Sequence, residues 1–321
     1  MLYLDEKDVL AIGINWRHTI AAVEKAVRCL SRDDFAQPIK PYLRYRDLKN
    51  RIIAMPAFVG GEFNIAGIKW IASFPDNIHK GIPRAHSLIV LNDADNGKPV
   101  AVLNTALLSV IRTASVTGLM IQYFDQARNI QDARVGITGW GPIGQYHLKM
   151  CAEVFGAKIS GYSIFDLKAP DLSGLNGFCP GKAHAVKSWE DAYQSADLFM
   201  TCTVSKESYI DRKPKEGSLQ LNISLRDYKT SVYEFIKESV IVDDWDEVCR
   251  EKTDIEMFHE EKGLQKEHTK SIADVVVHGC LNDYPRHLPI MFNPMGMGLF
   301  DIAIAHHYYN EAKRRNIGIN L

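Results

Sequence analysis

Several kinds of pattern are missing from this 321-residue sequence, and each absence excludes a class of protein. Its six cysteines are far apart and form neither a Cys-x-x-Cys pair nor a Cys/His group with zinc spacing, so we expect reduced thiols and no structural metal. Lysine and arginine total 38 against 39 acidic residues and no strongly basic stretch stands out, which argues against nucleic-acid binding as the main function. No run approaches the ~18 apolar residues of a membrane helix, and the N-terminal segment is acidic where a signal peptide is basic. We therefore expect a cytoplasmic protein with no membrane partner.

The first third of the chain mixes helical and strand patterns. Apolar residues at helical spacing predict one helix over 16–31 and a longer one over 105–123. Short β-like runs separate them, and the turn sequence NDADNG between the last two predicts a hairpin. The predicted strands are 51–56, 65–71, 87–92 and 99–103.

From residue 134 onward strands and helices alternate, which is typical of a parallel sheet with helical crossovers. The last segment, 295–316, reads as an amphipathic helix. The sequence therefore predicts an α/β protein in which a doubly wound Rossmann sheet (126–294) is inserted after an α+β substrate and dimerisation domain. That domain covers 1–125 and is completed by residues 295–321.

A glycine-rich turn follows the first strand of the alternating region. Gly139, Gly141 and Gly144 form a G-x-G-x-x-G motif between a predicted strand and a predicted helix. Such glycines serve a tight turn, close approach of a pyrophosphate and close helix–strand packing. Pro142 and Ile143 begin the helix, whose free N–H groups would face phosphates. The sequence predicts a dinucleotide site here; the alternative is a turn with no ligand.

An acidic residue is placed where a dinucleotide ribose would need it. Asp166 ends the second strand of the alternating region, 22 positions after Gly144. A carboxylate there accepts hydrogen bonds from ribose hydroxyls and repels a 2′-phosphate, which favours NAD. Lys168 is the one nearby feature that could favour NADP instead.

Two further segments end strands of the predicted sheet, where ligands of such sheets bind. Thr201, Cys202 and Thr203 end the strand predicted over 198–202, and we assign them to the cofactor. Asp227 follows the strand predicted over 218–223 and is a candidate catalytic base. Its alternative role is a helix cap for the segment before Tyr233.

Four cations are candidates for binding an anionic substrate: Arg44, Lys69, Arg84 and Arg112. Arg112 is flanked by small and apolar residues in a predicted helix, so it should be partly buried and need a partner. Arginine forks match carboxylates geometrically. Each cation could instead be an ordinary surface charge, and the sequence does not show that they converge.

The blocks RIIAMP, GIKW, SVIRTAS, GWGPIG, LNISLRD and FNPMGMGLFDIA, in this order, resemble the ornithine cyclodeaminase/mu-crystallin family over the whole chain. The resemblance implies a homodimer and an NAD cofactor. It implies that Arg44, Lys69 and Arg112 bind the substrate carboxylate and that Lys69 and Asp227 are catalytic. Arg112, close to the domain boundary, could also reach the cofactor. Where cyclodeaminases carry a glutamate, this chain has Ile53, which argues against a diamino acid substrate.

Within the family, the blocks are most similar to a dehydrogenase branch of siderophore biosynthesis. That branch implies NAD-dependent cleavage of N-(1-amino-1-carboxy-2-ethyl)-L-glutamate to 2-oxoglutarate and L-2,3-diaminopropionate. The alternatives are an amino-acid dehydrogenase, a ketimine reductase or a cyclodeaminase, and a crystallin-like protein without activity. For the pairs His306–His307 and Asp243–Asp244 we expect packing, turn and capping roles rather than metal binding.

Overall fold

The structure is a computed structural model that describes residues 1–175 and 177–321. The chain forms two compact units, one made of residues 1–112 with 296–321 and the other of residues 113–295. The first division falls inside a long helix, whereas the sequence placed a boundary near its end, around residue 125. The second division is close to the predicted boundary near 294.

Unit 1 (residues 1–112 and 296–321) is a mostly antiparallel sheet with helices against it. Its strands lie in the order β16-β1-β7-β6-β5-β4-β2, and β3 also pairs with β4. Only β1 and β7 run parallel. The elements are β1 (Leu2–Asp5), α1 (Glu6–Ile12), α2 (Trp16–Leu30), β2 (Phe35–Ala36), β3 (Tyr42–Leu43), β4 (Arg51–Val59), β5 (Ile65–Ser73), β6 (Ala85–Asp93), β7 (Pro99–Asn104), the start of α3 (Leu107–Arg128), α9 (Gly298–Arg315) and β16 (Ile319–Asn320).

One face of the sheet of unit 1 is buried, and along β4 buried residues alternate with less buried ones. Met55, Ala57 and Val59 of β4 point to the same face, since side chains two apart share a face, and all three are buried. The C-terminal helix α9 packs against β4, β5 and β6. Every residue from Gly298 to Ala305 is buried, so this helix completes the core that the N-terminal strands begin.

Unit 2 (residues 113–295) contains an entirely parallel sheet in the order β10-β9-β8-β11-β12-β15-β13-β14. Strand order reverses between β8 and β11, which is the topological switch point of a doubly wound fold. The elements are β8 (Ala133–Thr138), α4 (Pro142–Phe155), β9 (Ile159–Phe165), β10 (Ala183–Ala185), α5 (Trp189–Tyr193), β11 (Leu198–Thr201), β12 (Leu219–Asn222), α6 (Tyr233–Ile236), β13 (Val240–Val242), α7 (Trp245–Val248), α8 (Asp254–Lys262), β14 (Lys270–Ser271) and β15 (Ile290–Asn293).

The central strands of this sheet are buried on both faces, as expected where crossovers cover both sides. Every residue of β11, β12, β13 and β15 is buried. The architecture confirms the predicted α/β fold class with an inserted Rossmann-type sheet.

Helix α3 is the one helix of the described residues that is long and apolar enough, by length and mean composition, to cross a membrane. Of its most apolar window, 72% is buried inside the protein, as in the core helix of a globular protein.

Candidate active site

Unit 1 contains a buried charge cluster, which consists of Lys69, Arg112 and Asp301. Lys69 lies on β5, and its Nζ donates to Asp301 Oδ1 at 2.9 Å and to Ser109 Oγ at 2.9 Å. Arg112 lies on α3, and its Nε donates to the same Oδ1 at 3.0 Å. All three charged side chains are less than 10% exposed. One carboxylate oxygen therefore accepts hydrogen bonds from both cations. The sequence predicted each cation but did not show that they converge.

The two cations outweigh the single carboxylate in this cluster. Burial lowers the pKa of Lys69 to about 8; the charge of Asp301 opposes this effect and that of Arg112 adds to it. Burial would raise the pKa of Asp301, but Arg112 and Lys69 outweigh it and hold that pKa below its ordinary value. Asp301 is thus an anion between two cations, and the cluster keeps one net positive charge while Lys69 is protonated. A carboxylate of a bound molecule would balance that charge.

The guanidinium of Arg112 is shaped for such a ligand. Its Nε is engaged by Asp301, while no residue among 1–175 and 177–321 accepts a hydrogen bond from Nη1 or Nη2. Gly296 lies against that end of the group, because a Cβ there would come within 2.4 Å of Nη1. Gly296 also has φ +86°, a conformation that side chains disfavour. Lys40, buried and unforeseen from the sequence, donates to the Gly296 carbonyl at 2.7 Å.

The lowered pKa of Lys69 predicts a pH-dependent stability. An unfolded lysine keeps its proton up to about pH 10.4, so between about pH 8 and 10 the unfolded state binds more protons than the folded one and folding becomes more favourable as pH rises. We expect the free energy of unfolding of the wild type, relative to that of Lys69→Met, to rise by on the order of 2 kcal/mol across that window. Urea unfolding at several pH values measures it, and a constant difference would assign Lys69 an ordinary pKa.

Arg44 and Arg84 have other neighbours than the residues of the buried charge cluster. Arg44 follows β3, is exposed, and stacks on the ring of Tyr42 with its Cζ 5.1 Å from the centroid. Arg51, which the sequence did not single out, stacks on the same ring at 5.5 Å. Arg84 is half-buried, and burial followed by the charge of Arg51 lowers its pKa. The four predicted cations therefore form two groups rather than one.

In unit 2 the glycine turn has the geometry of a nucleotide-binding turn. Gly139 has φ +92°, and a Cβ there would come within 2.4 Å of the Cys202 carbonyl oxygen. A Cβ on Gly144 would meet the Gly139 carbonyl at 2.1 Å, whereas one on Gly141 would meet nothing within 4 Å. The open space at Gly141 and the absence of a side-chain cap on α4, which begins at Pro142, leave room for a phosphate at the helix start. Ile143 lies in its first turn.

Asp166 is held in position by main-chain donors. Trp140 N donates to its Oδ2 at 2.6 Å and Lys168 N to its Oδ1 at 3.0 Å. The side chain of Trp140 in turn donates from Nε1 to the Asp171 carbonyl at 2.9 Å. Each carboxylate oxygen keeps further lone pairs, so Asp166 can still accept from ribose hydroxyls. The residues of this turn thus fit the NAD that the sequence predicts.

Asp227 is fully buried, and neither described helical segment after it, Thr230–Val232 or Tyr233–Ile236, has a side-chain cap, so the alternative role as a cap is wrong. Its Oδ1 accepts a hydrogen bond from the Thr203 hydroxyl and its Oδ2 accepts one from the Ser224 hydroxyl. Thr203 follows β11, so two predicted site residues meet at the carboxyl end of the sheet. Cys202 lies beside the glycine turn, and burial raises the pKa of its thiol, which makes it a poor nucleophile.

The turn that carries Asp227 rests on a buried polar network that the sequence did not reveal. Asp254 Oδ2 accepts from the main-chain N–H groups of Asp227 and Tyr228 at 3.2 and 3.3 Å, and from Asn222 Nδ2 at 2.9 Å. Leu225 within the turn has φ +64°, which is unfavourable for a branched side chain. The network therefore maintains a conformation that the turn would not adopt alone.

Thr201 joins this network by donating to Asn222 Oδ1 at 3.1 Å, and it is fully buried. Its assignment to the cofactor stays a prediction.

The remaining polar pairs have structural contacts. Asp244 caps α7 by accepting from Glu247 N, and Asp243 accepts from Met295 N, which confirms the predicted capping and turn roles. His306 packs on Phe63, and His307 packs on Tyr308. Across residues 1–175 and 177–321, no group of three His, Cys, Asp or Glu side chains could hold a metal ion.

Comparison with known proteins gives matches over the full length. Residues 6–316 match the sequence model of the ornithine cyclodeaminase/mu-crystallin family. The N-((2S)-2-amino-2-carboxyethyl)-L-glutamate dehydrogenase of Staphylococcus aureus is 33% identical, in an alignment that covers 100% of this chain and 98% of that protein.

Solved structures share the fold. The Delta(1)-pyrroline-2-carboxylate reductase of Thermococcus litoralis, in complex with NADH and L-proline, superimposes with a TM-score of 0.88 at 21% identity and full coverage of both chains. An archaeal alanine dehydrogenase dimer with bound NAD gives 0.84 at 22% identity, covering 100% of this chain and 98% of that one.

Proposed function

Because this chain belongs to the ornithine cyclodeaminase/mu-crystallin family, we propose that it oxidises N-((2S)-2-amino-2-carboxyethyl)-L-glutamate with NAD to give 2-oxoglutarate and L-2,3-diaminopropionate. The chain is an NAD-dependent dehydrogenase that acts on CH–NH bonds, as its homologues are. The observation that carries the substrate is the full-length likeness to the Staphylococcus aureus enzyme. The product 2,3-diaminopropionate suits a biosynthetic role such as siderophore assembly.

The cations of unit 1 suit a substrate with three carboxylates. The free Nη1 and Nη2 of Arg112 present two parallel donors, which is the arrangement that grips a carboxylate in two places. Lys69 adds a positive charge 2.9 Å from the same Asp301 oxygen. We assign the α-carboxylate of the glutamate part to these two residues, so that the reacting Cα is held beside them. At Ile53, which pairs with Tyr42 and Ile71, β4 supplies no carboxylate for the side-chain ammonium of ornithine.

Bound NAD supplies the acceptor for the hydride from Cα. The protein has to provide the proton transfers, because a secondary ammonium cannot release electrons toward an imine. Asp227 is the base for the amine proton, and the hydroxyls of Thr203 and Ser224 fix its orientation. Lys69, with a pKa of about 8, can give and take a proton near neutral pH as water adds to the imine carbon. Cleavage of the C–N bond then releases the keto acid and the diamino acid, with NADH and one proton as the other products.

Turnover of defined substrates tests this proposal. The protein is incubated with NAD+ and, separately, the N-linked amino acid, L-alanine and L-ornithine, while NADH absorbance is followed and products are identified by mass spectrometry. NADH, 2-oxoglutarate and diaminopropionate should appear together with the first compound alone. Asp227→Asn should abolish the reaction, whereas Asp211→Asn, at an exposed ion pair with Lys229, should not change it. Turnover of alanine or ornithine instead would reassign the substrate.

Asp166→Ala should weaken NAD binding and reduce discrimination against NADP. The variant loses the acceptor for ribose hydroxyls and the charge that repels a 2′-phosphate. Fluorescence titration with NADH and NADPH gives both dissociation constants. Asp171→Ala serves as control, because only the main-chain carbonyl of Asp171 contacts Trp140. Unchanged affinity and preference in Asp166→Ala would remove this residue from the ribose site.

A homodimer through unit 1 belongs to the same proposal. The second face of its sheet is apolar although it is only partly covered: Trp70 is 44% exposed and lies across from Ala54 and Leu88, and Ile68 lies across from Pro56 and Val90. Contiguous exposed apolar patches mark interfaces. The alanine dehydrogenase with the same fold is a dimer. We propose that a second copy of this chain packs against this face.

Trp70→Glu should therefore convert the dimer to a monomer, because a charge would be buried at the centre of the interface. Light scattering after size-exclusion chromatography at micromolar concentration measures the mass. Leu10→Glu is the control, since Leu10 is equally apolar and 53% exposed but lies on α1. A wild-type monomer, or a Trp70→Glu dimer, would contradict the assignment.

A further inference from the structure

A second group of cations lies in unit 1, and we name Arg44, Arg51 and Arg84 the edge arginines. Two of them stack on one aromatic ring, with the Cζ atoms of Arg44 and Arg51 5.1 and 5.5 Å from the centroid of Tyr42. The third is close enough to Arg51 for repulsion between them to add to the effect of burial in lowering its pKa. Two guanidinium groups thus stack on one tyrosine, and a third lies close to one of them.

Strand register places Arg51 on the face of the sheet that carries Lys69. Met55 of β4 lies opposite Lys69 of β5, and Arg51 lies opposite Ser73. Arg51 and Met55 are four residues apart on one strand, so their side chains leave the same face. Tyr42 pairs with Ile53, which shares that face. The distance along the strand from Lys69 to Ser73 is about 13 Å, at roughly 3.4 Å per residue.

Arg51 and Arg84 are like charges close to each other, which favours an anion beside them. Burial and the nearby charge of Arg51 lower the pKa of Arg84, yet an arginine keeps its proton under physiological conditions. Within residues 1–175 and 177–321 neither of them forms an ion pair with a carboxylate. The stacking on Tyr42 orients the guanidinium planes but supplies little charge. The strongest partner for adjacent guanidinium groups is a carboxylate bound by parallel hydrogen bonds.

We propose that the edge arginines form a second carboxylate site, which binds the γ-carboxylate of the glutamate part of the substrate. The inference rests on the proposed function, in which the buried charge cluster holds the α-carboxylate. The side chain of Arg51 and the carbon chain of the glutamate part together span the roughly 13 Å between the strand positions. The site then selects glutamate-type substrates over monocarboxylic amino acids such as alanine, and Arg51 is the residue that determines this specificity.

Binding of two keto acids to the NADH-loaded protein tests the site directly. 2-Oxoglutarate and pyruvate share the 2-oxo acid group, but only the former has a distal carboxylate. We expect wild type to bind 2-oxoglutarate at least tenfold more tightly by calorimetry. Arg51→Gln should abolish this difference in affinity and leave pyruvate binding unchanged. Arg84→Gln should make the difference in affinity smaller. Arg17→Gln, an exposed arginine on α2, is the control and should change neither.

The outcomes separate this site from the proposed reaction. If Arg51→Gln weakens both keto acids equally or neither of them, the second carboxylate site is wrong. If wild type turns over the N-linked substrate and Arg51→Gln does so with unchanged KM, the site is likewise wrong although the reaction stands. A third outcome is that the N-linked substrate is not turned over while the tighter binding of 2-oxoglutarate than of pyruvate still depends on Arg51. In that case the site stands and the substrate is another dicarboxylic amino acid.

Discussion

Asp301→Asn should lower kcat/KM by about a hundredfold or more, although Asp301 contacts two side chains of the protein and is not assigned to the substrate. Its Oδ1 is the shared acceptor of Lys69 Nζ and Arg112 Nε, so the neutral amide leaves two buried cations without a counter-charge. Breaking a buried ion pair in this way typically costs about 3–5 kcal/mol. The protein can reduce that cost by releasing the Lys69 proton, which removes a charge that the substrate carboxylate needs.

The pH profile distinguishes this positioning role from a general loss of stability. Without the charge of Asp301 the pKa of Lys69 should fall further below about 8, since Asp301 is the group that raises it. The limb of the kcat/KM profile that reports Lys69 should therefore move to lower pH in Asp301→Asn, and Asp301→Glu should restore part of it. Glu62→Gln, which removes the carboxylate of an exposed ion pair with Lys25, is the control. A profile that loses height but keeps its shape would restrict Asp301 to a structural role.

Arg112→Lys should reduce kcat by about a hundredfold and raise KM, although the charge is retained. An ammonium is a single point donor, so it cannot bind Asp301 and grip a carboxylate in two places at once as the guanidinium can. The substrate would lose affinity and also alignment, and a displacement of about 1 Å can cost on the order of a hundredfold in rate. Steady-state kinetics at saturating NAD+ measures both parameters.

A direct NAD titration of the same variant decides between the two roles predicted for Arg112. We expect NAD affinity to be unchanged, because the assigned cofactor residues are the glycine turn and Asp166 of unit 2. A large loss of NAD affinity would reassign Arg112 to the cofactor. Arg128→Lys is a matched control on the same helix, where the guanidinium donates to the Pro285 carbonyl at 3.1 Å. Wild-type kcat and KM in Arg112→Lys would remove Arg112 from the active site.

The parts of the protein that the sequence predicted are those encoded by neighbouring residues. The turn from Gly139 to Gly144 lies within one strand–helix connection, so its spacing alone identifies it. Asp166 follows at a separation that the βαβ unit fixes. Periodicity likewise located the hairpin of β6 and β7 and the terminal helix within a few residues.

The parts that were missed depend on contacts between distant segments. Asp301 is 232 residues from Lys69 and 189 from Arg112, and in the sequence it reads as one acid near the start of an apolar helix. Asp254 supports the Asp227 turn from 27 residues away. Arg51 starts a strand, and only its register beside Tyr42 reveals its neighbours. No local spacing signals such contacts, because sheet topology and helix packing create them.

The position of Asp301 also sets an order of events during synthesis on the ribosome. Residues 113–295 form a continuous unit, which can fold as soon as it has emerged. Residues 1–112 emerge first, yet α9 arrives only after that whole insertion has been made, and with it Asp301, the acid that balances Lys69 and Arg112. Until then the nascent sheet exposes the apolar surface that α9 will cover. We therefore expect chains that stop before residue 296 to leave unit 1 unfinished, as substrates for chaperones or proteases, while their dinucleotide unit is already folded.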